Sequence, residues 1–434
     1  MHFITALGLT VSCLQQTLPT DSAVRAMLAP RVTPGSGIVV GLIDPAGRRL
    51  LAVAVDTDRV FEIGSITKVF TASVLADMMA RGEVRLGDPV AKYLPRSVHM
   101  PARNGRQITL LDLATQSSGL PRMPSNFTPR DSMNPYADYT VQQMYTFLSG
   151  YQLPRDIGAD YEYSNLGVGL LGHALALRSK TSYEQLVTRR ILQPLGMHET
   201  AITLTPELKA RLAPGHDAEG HVVANWDLPT FAGAGALRST AHDLLIFLAA
   251  NLDSTATPLS RTLWQTHGAR HGTGDSHLKI GLAWHIMERR VGNLVWHNGG
   301  TGGYRSFIGF DAARHIGVVI LTNVNVTVDD IGFHLLDESF PLRPLPQPRT
   351  EVAVDSTVLQ RYVGEYELVP TFHINVTRDG TQLFIQATGQ PRFPIYAESD
   401  SAFFLKVVDA QITFSVDQLV LHQNGQVIPG KKLR

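Results

Sequence analysis

The run PLRPLPQP, Pro341 to Pro348, most constrains how this chain of 434 residues can fold, because four prolines in eight residues forbid regular helix or sheet. It predicts a short semi-rigid linker over 344–357, dividing a large domain over 31–343 from a small one over 358–434. The small part reads as all-β. YVGEYEL, FHINVTRDG, TQLFIQATG, FFLKVV, QITFSV and QLVLHQNG are short alternating segments separated by Asp-Gly or Asn-Gly turn signals. Held by a short stiff linker, such a module serves either to narrow the entrance to a site on the large domain or to stabilise or oligomerise the protein.

With 44% hydrophobic and 18% charged residues, both parts can bury a core and extended disorder is excluded. Lys and Arg together number 38, as do Asp and Glu. No single-sign field is left to attract nucleic acid or an anionic membrane, and the basic residues are scattered rather than striped. The single cysteine, Cys13, rules out an internal disulfide and a Cys-rich zinc site. Residues 1–30 read as a signal or leader segment: an apolar run from Ile4 to Leu14 is followed by polar residues, although the usual basic start is missing. Export to the periplasm or beyond is therefore expected, with Ser12-Cys13 a weak hint of lipid anchoring. Elsewhere no apolar run reaches the roughly 18 residues a membrane span needs.

The large domain opens with GIVVGLID and RLLAVAV around Pro45-Ala46-Gly47, a β-hairpin pattern. A helix apolar on most sides follows from Ile66 to Ala80, stopped by Gly82. Helical patterns at Val141 to Leu148, Leu166 to Leu177 and His242 to Leu252 alternate with Pro- and Gly-rich loops. Strand signals return in KIGLAWHIM, NLVWH, YRSFIGF and IGVVILTN. The expected class is α/β (α+β): one antiparallel sheet joining the first and last strands, helices on its faces, a helical region inserted between them, and a small C-terminal all-β domain.

In FEIGSITKVF, Ser65 and Lys68 stand three residues apart at a helix start, so the amine can reach the hydroxyl. Ser65 could simply cap the helix, with Lys68 in solvent. It could also be a nucleophile whose base is Lys68, if burial lowers the lysine pKa, with the helix dipole favouring negative charge beside it. Two later motifs bear on the choice. YSN, Tyr163 to Asn165, precedes the glycine-rich helix start LGVGLLG, and HNGGTGGY, His297 to Tyr304, joins two strands. A phenol can carry a proton to a leaving group, an amide can hold a carbonyl, and glycines at a strand edge let a substrate lie against backbone N–H groups.

SITK, YSN and HNG in that order, with LATQSSGLP, PLGMHET and GALRSTAHDL between them, resemble the serine β-lactamase and penicillin-binding-protein superfamily. The likeness covers residues 36 to 340 and is greatest to the class C branch, which includes DD-peptidases, D-aminopeptidases and family VIII carboxylesterases. The resemblance implies a β-lactamase-like fold and a serine hydrolase working through an acyl-enzyme, without metal or organic cofactor. It implies Ser65 as nucleophile, Lys68 as base or electrostatic partner, Tyr163 as proton shuttle, and Asn165 as support for Lys68 and the substrate amide. His297, Asn298 and Gly299 form the third motif, and the N–H groups of Ser65 and Gly300 the oxyanion hole. Ser65 is then expected both to cap its helix and to attack. β-Lactam or D-amino-acid peptide amides are the first substrate class, short acyl esters the alternative, and a penicillin sensor that stays acylated a third reading. The partner is a small molecule or short peptide; nothing in the sequence sets the oligomeric state.

Two positions depart from that pattern. His297 replaces a lysine usual in β-lactamases of this branch, and a mostly neutral histidine predicts a weaker hold on a carboxylate. Gln116 replaces a histidine common before SSGLP. Among competing sites, GDSH (Gly274 to His277) reads as a loop, His267 and His271 as surface loop residues rather than metal ligands, and Trp284 and Trp296 as core, or else pocket wall, rather than a stacking platform. Gly299 to Gly303 lack the helix and lysine of a phosphate loop.

Overall fold

The computed structural model describes residues 18–344, 349–369, 372–388, 392–405, 410–423 and 426–433. Cys13 and the apolar run Ile4 to Leu14 lie outside them, as does part of the proline run. The chain divides into two compact units meeting between Arg343 and Pro344. Helix Asp21–Leu28, inside the segment read as leader, is capped by Thr20 and buries Val24 and Leu28, so that stretch belongs to the folded unit. No helix among the described residues is long and apolar enough to cross a membrane.

The first unit is built on an eight-stranded antiparallel sheet. All seven residues of strand Ile38–Asp44 are buried, which places it in the sheet interior. It pairs with Gly47–Val53 on one side and Ile316–Thr322 on the other, joining the two ends of the domain. Arg305–Asp311 and Leu294–Gly300 follow, then His285–Met287, Leu278–Ile280 and His271–Gly272 at the edge. The segment KIGLAWHIM, expected as one strand, is two strands with a turn between them. Its middle leaves the ladder because Gly281 N–H donates to the Trp284 carbonyl and Leu282 N–H to Thr266 O, with Ala283 at φ +62°.

Helix Ala241–Leu252 packs on one face of the sheet and helix Asp329–Leu336 on the other, each closing an apolar cluster. The inserted helical region centres on helix Thr67–Ala80, buried from Thr67 to Met78, and helix Asn165–Ser179. Glycine brings helix Asn165–Ser179 against the short helix Ala232–Gly235: a β-carbon on Gly172 would stand 2.9 Å from the Gly233 Cα. The segments PLGMHET and GALRSTAHDL lock to each other, with Gly235 at the head of the second reaching the cavity wall. Asp243 accepts from Glu199 N–H and the Thr200 hydroxyl, both at 2.8 Å, and Arg238 meets buried Glu62 at 3.2 Å and the Trp226 carbonyl at 3.0 Å.

In the second unit eight strands from Gly364–Val369 to Gln426–Lys432 close into a barrel. Alternate residues Ile374, Val376, Leu383 and Ile412 fill it. Tyr362, ending helix Ser356–Tyr362, stacks on Phe414 at 4.3 Å.

His267, expected at the surface, is packed among Trp264, Trp284 and Phe310, and its Nε2–H donates to Asn251 Oδ1 at 2.7 Å. His271 turns elsewhere, its Nε2 3.0 Å from the Gly158 carbonyl oxygen, so the two do not converge on a metal. GDSH is an exposed turn and Trp284 is core, both as the sequence suggests. Burial holds His267 down to about 3 and His285 to about 4, against an ordinary value near 6.5. As pH falls from about 6.5 towards 4 the unfolded chain gains these protons while the folded one refuses them, so stability drops over that window. His267→Gln, which retains a donor for Asn251, should reduce the proton uptake on unfolding by about one. Denaturant titrations of both proteins at pH 6.5 and 5 measure it, and equal pH slopes would show that His267 is protonated in the fold.

Candidate active site

Strand Phe61–Glu62 ends against Gly64, whose φ of +49° turns the chain into a 3₁₀ turn, Gly64–Ile66, running directly into helix Thr67–Ala80. No side chain caps this helix start, so the capping role expected for Ser65 is not present. The Ser65 hydroxyl lies 2.9 Å from Lys68 Nζ instead.

Lys68 is fully buried, one helical turn on, and no carboxylate among the described residues contacts it. Its Nζ lies 2.8 Å from Asn165 Oδ1, 2.7 Å from the Ala234 carbonyl oxygen and 4.8 Å from the Tyr163 ring centre. Three acceptors suit an ammonium, but burial first and the Arg122 charge second push the lysine pKa well below its ordinary range. The same geometry holds a neutral amine: two N–H groups stay on Asn165 and Ala234, and the nitrogen lone pair accepts from the Ser65 O–H.

Tyr163 and Asn165 are carried by the entry to helix Asn165–Ser179, where Ser164 is the N-cap and accepts from Gly167 N–H at 2.8 Å. Gln116 holds this entry from behind. Its side-chain Oε1 accepts from Ser164 N–H at 2.6 Å and its carbonyl from Glu162 N–H at 2.8 Å, a two-point grip that gives the Gln116 departure a structural reason. The Arg122 carbonyl takes Asn165 N–H at 3.0 Å and Leu166 N–H at 3.2 Å. Burial raises the Tyr163 pKa while a hydrogen bond with Ser65 and the charge of Arg122, 5.0 Å from its ring centre, oppose it; the phenol stays protonated.

The third motif ends strand Leu294–Gly300 beside the serine turn. A β-carbon on Gly299 would stand 2.1 Å from the Ile63 carbonyl oxygen, and one on Gly64 2.6 Å from Gly300 N, so only glycine permits this approach. His297 is fully buried; its Nδ1–H donates to the Asn298 carbonyl at 2.6 Å and its Nε2 has no partner. Burial first, then the neighbouring His285 and Lys68, hold its pKa well down, so it is neutral. Asn298 Nδ2 donates to Asp329 at 2.5 Å. Ser65, Lys68, Tyr163, Asn165 and His297 to Gly300 thus converge on one place.

A cavity there has two lobes meeting at Ser65, of about 250 and 340 Å³. Tyr136 and Trp226 wall one, while Tyr163, His285 and Asn298 wall the other. Arg122 and Arg305 line both. Sequence reasoning missed Tyr136, Trp226, His285 and Asp329, which stand apart from the motifs along the chain, and also Arg122 and Arg305. Arg122 and Arg305 each stand just beyond a segment that was recognised, after SSGLP and after HNGGTGGY, and extending those segments by one residue would have found them.

A helix-start serine hydrogen-bonded to a buried lysine, on an antiparallel sheet flanked by helices, defines a serine acyl-transfer hydrolase. The chain belongs to the Beta-lactamase family, whose model matches residues 24–335, and it is a β-lactamase/DD-peptidase-like serine hydrolase. Residues 348–420 match a second model, Domain of unknown function (DUF3471). The D-alanyl-D-alanine-carboxypeptidase/endopeptidase AmpH of Escherichia coli K12 is 30% identical over 281 residues, covering 61% of this chain and 71% of that protein. Penicillin-binding protein 4* of Bacillus subtilis is 24% identical over 401 residues, 85% of this chain and 86% of its own. Among solved structures, a β-lactamase/D-alanine carboxypeptidase from Yersinia pestis complexed with citrate superposes with a TM-score of 0.62 at 23% identity, over 74% of this chain and 96% of that one. A class C β-lactamase from Rhodobacter sphaeroides does so with 0.62 at 22%, over 74% and 99%. At these identities the two structures establish the fold.

The grip of Gln116 leads to a test. Gln116→Ala leaves the Ser164 N–H buried without an acceptor, costing about 1–3 kcal/mol. It should also lower kcat more than it raises KM, because Tyr163 and Asn165 flank Ser164. Denaturant midpoints and steady-state kinetics measure both effects, and unchanged kcat in a folded variant would show that Gln116 only supports the fold.

Proposed function

We propose that Ser65 is acylated by amide or lactam substrates bearing a nearby carboxylate, namely β-lactams or D-amino-acid peptides, and that Lys68 is its base. One observation carries this reading: Lys68 Nζ, fully buried and in contact with neutral acceptors alone among the described residues, lies 2.9 Å from the Ser65 hydroxyl. The neutral amine takes the hydroxyl proton as Oγ bonds to the carbonyl carbon. The oxyanion then faces the N–H groups of Ser65 and Gly300, a reading supported by the close approach of Gly300 N to Gly64, where a β-carbon would stand 2.6 Å from it. Tyr163, a phenol that keeps its proton, gives it to the leaving nitrogen as the C–N bond breaks and regains one from Lys68. Asn165 fixes Lys68 through Oδ1. Water then hydrolyses the ester on Ser65 and frees the product acid. The substrate class is supported by the names of the relatives, which are β-lactamases, D-alanyl-D-alanine peptidases and penicillin-binding proteins. A periplasmic or secreted site of action accords with such substrates and with the apolar run Ile4 to Leu14.

Intact-protein mass after mixing with a penicillin, and separately with a p-nitrophenyl ester, should show an adduct or turnover in wild type and neither in Ser65→Ala. Lys68→Ala should slow acylation about 10²- to 10⁴-fold. Because the deprotonated amine is the active form, acylation should rise with pH through an apparent pKa well below the ordinary lysine value near 10.4. Arg122→Gln removes a positive charge and should move that limb to higher pH. A limb that does not move would show that the rise reports a group other than Lys68.

A further inference from the structure

The third-motif residue His297 brings no charge to the cavity, yet the cavity holds a cation close by. Arg305 opens the strand next to the motif and is the register partner of Gly300. It crosses the end of that strand closely: a β-carbon on Gly300 would stand 2.0 Å from Arg305 Nη1, so glycine is required for the guanidinium to lie there. The side chain lines both lobes beside Ser65. Among the described residues it makes no hydrogen bond or ion pair, and its Nε is buried without a partner. Asp329 acts on it only through space, since that carboxylate already accepts from Asn298 Nδ2. An arginine stays charged at any working pH, and enclosing one with no hydrogen-bonded carboxylate is costly. Its planar fork matches a carboxylate at two points.

We propose that Arg305 is the specificity-determining residue that holds the substrate carboxylate next to the scissile amide, doing in this chain what a charged third-motif side chain would do. The inference rests on the acyl-enzyme reading above. Its ligand chemistry is a carboxylate a few bonds from the nitrogen that leaves, which either a peptide with a free C-terminal D-residue or a bicyclic lactam can present. Arg305 takes part by binding alone; no bond is made or broken at it.

The test measures binding without chemistry, by calorimetry on the Ser65→Ala protein. The probes are N-acetyl-D-alanyl-D-alanine against its C-terminal amide, and a penicillin against its methyl ester. In at least one pair the acid should bind about 10- to 100-fold more tightly than its neutral partner. The preference should be the same at pH 6 and pH 8, because arginine does not titrate there, whereas recognition by a protonated histidine would fade across that range. Adding Arg305→Gln should bring the ratio close to one, and Arg305→Lys should restore part of it. The pair that shows the effect identifies the source of the carboxylate. Equal affinity for acid and neutral forms in both pairs, a ratio that Arg305→Gln leaves intact, or a preference lost at pH 8 would each overturn the assignment. Wild-type labelling separates the two readings. An adduct on Ser65 alongside any of those results removes only the role of Arg305, whereas no adduct and no ester turnover removes the acyl-enzyme reading itself. Should Arg305→Gln not fold, the acid-to-neutral ratio at the two pH values still decides.

Discussion

A lysine amine enclosed without a carboxylate is the constraint around which this site is arranged. Burying an ammonium is expensive, and the protein offers Lys68 only neutral acceptors, so the neutral amine is favoured at the one place where a serine hydroxyl can use it. Each acceptor must be brought in by a separate element. Asn165 comes from the entry to its helix, Ala234 from the short helix Ala232–Gly235, and Ser65 from the turn before helix Thr67–Ala80. Moving Asn165 or Ala234 would leave Lys68 with an unsatisfied N–H, and moving Ser65 would leave its lone pair without a donor. The grip of Gln116 on Ser164, the approach of Gly172 to Gly233 and the Glu62–Arg238 pair behind the serine turn all serve that convergence.

What could be read from the sequence was local. The buried helix after Ser65 shows in its all-round apolarity, the hairpin at Ile38–Asp44 and Gly47–Val53 in its turn residues, and the glycines of the third motif in their clustering. Ser65, Lys68, Tyr163 and Asn165 were nameable because their order along the chain resembles a known family; spacing alone left Ser65 open to reading as a cap. The rest depended on contacts between distant segments. Nothing near His267 announces that Trp284 and Phe310 will enclose it, and the break in KIGLAWHIM arises because Thr266 takes a backbone N–H from its middle. Gln116 resembled a puzzling substitution until Ser164, 48 residues on, supplied its partner.

Neutral rings fill the region beneath the third motif. His285 stacks on Trp296 at 4.7 Å, stands 5.1 Å from His297 and meets the Tyr161 hydroxyl at 3.0 Å. Burial depresses both histidines first and the Lys68 charge adds to it, so both imidazoles stay neutral beside the lysine. A charged side chain at the head of the motif would meet the same opposition. Because the histidine is neutral, the cavity is left to obtain its binding cation from another element.

Arg305 meets that need from the next strand, and its position separates two electrostatic tasks. The charge that acts on Lys68 is Arg122; Arg305 is coupled to Asp329 instead. If one cation both lowered the lysine pKa and held the substrate, an arriving carboxylate would cancel its field and make the amine more basic as catalysis began, so that it would be protonated at the moment it must accept. With the tasks divided, an anion bound at Arg305 would be neutralised there while burial and the Arg122 charge continue to lower the Lys68 pKa. Arg122 is more exposed and part of its field is lost to solvent, so burial remains the larger influence on Lys68. A carboxylate at Arg305 would leave that burial in place, so on the proposed reading the amine stays available to Ser65 through acylation.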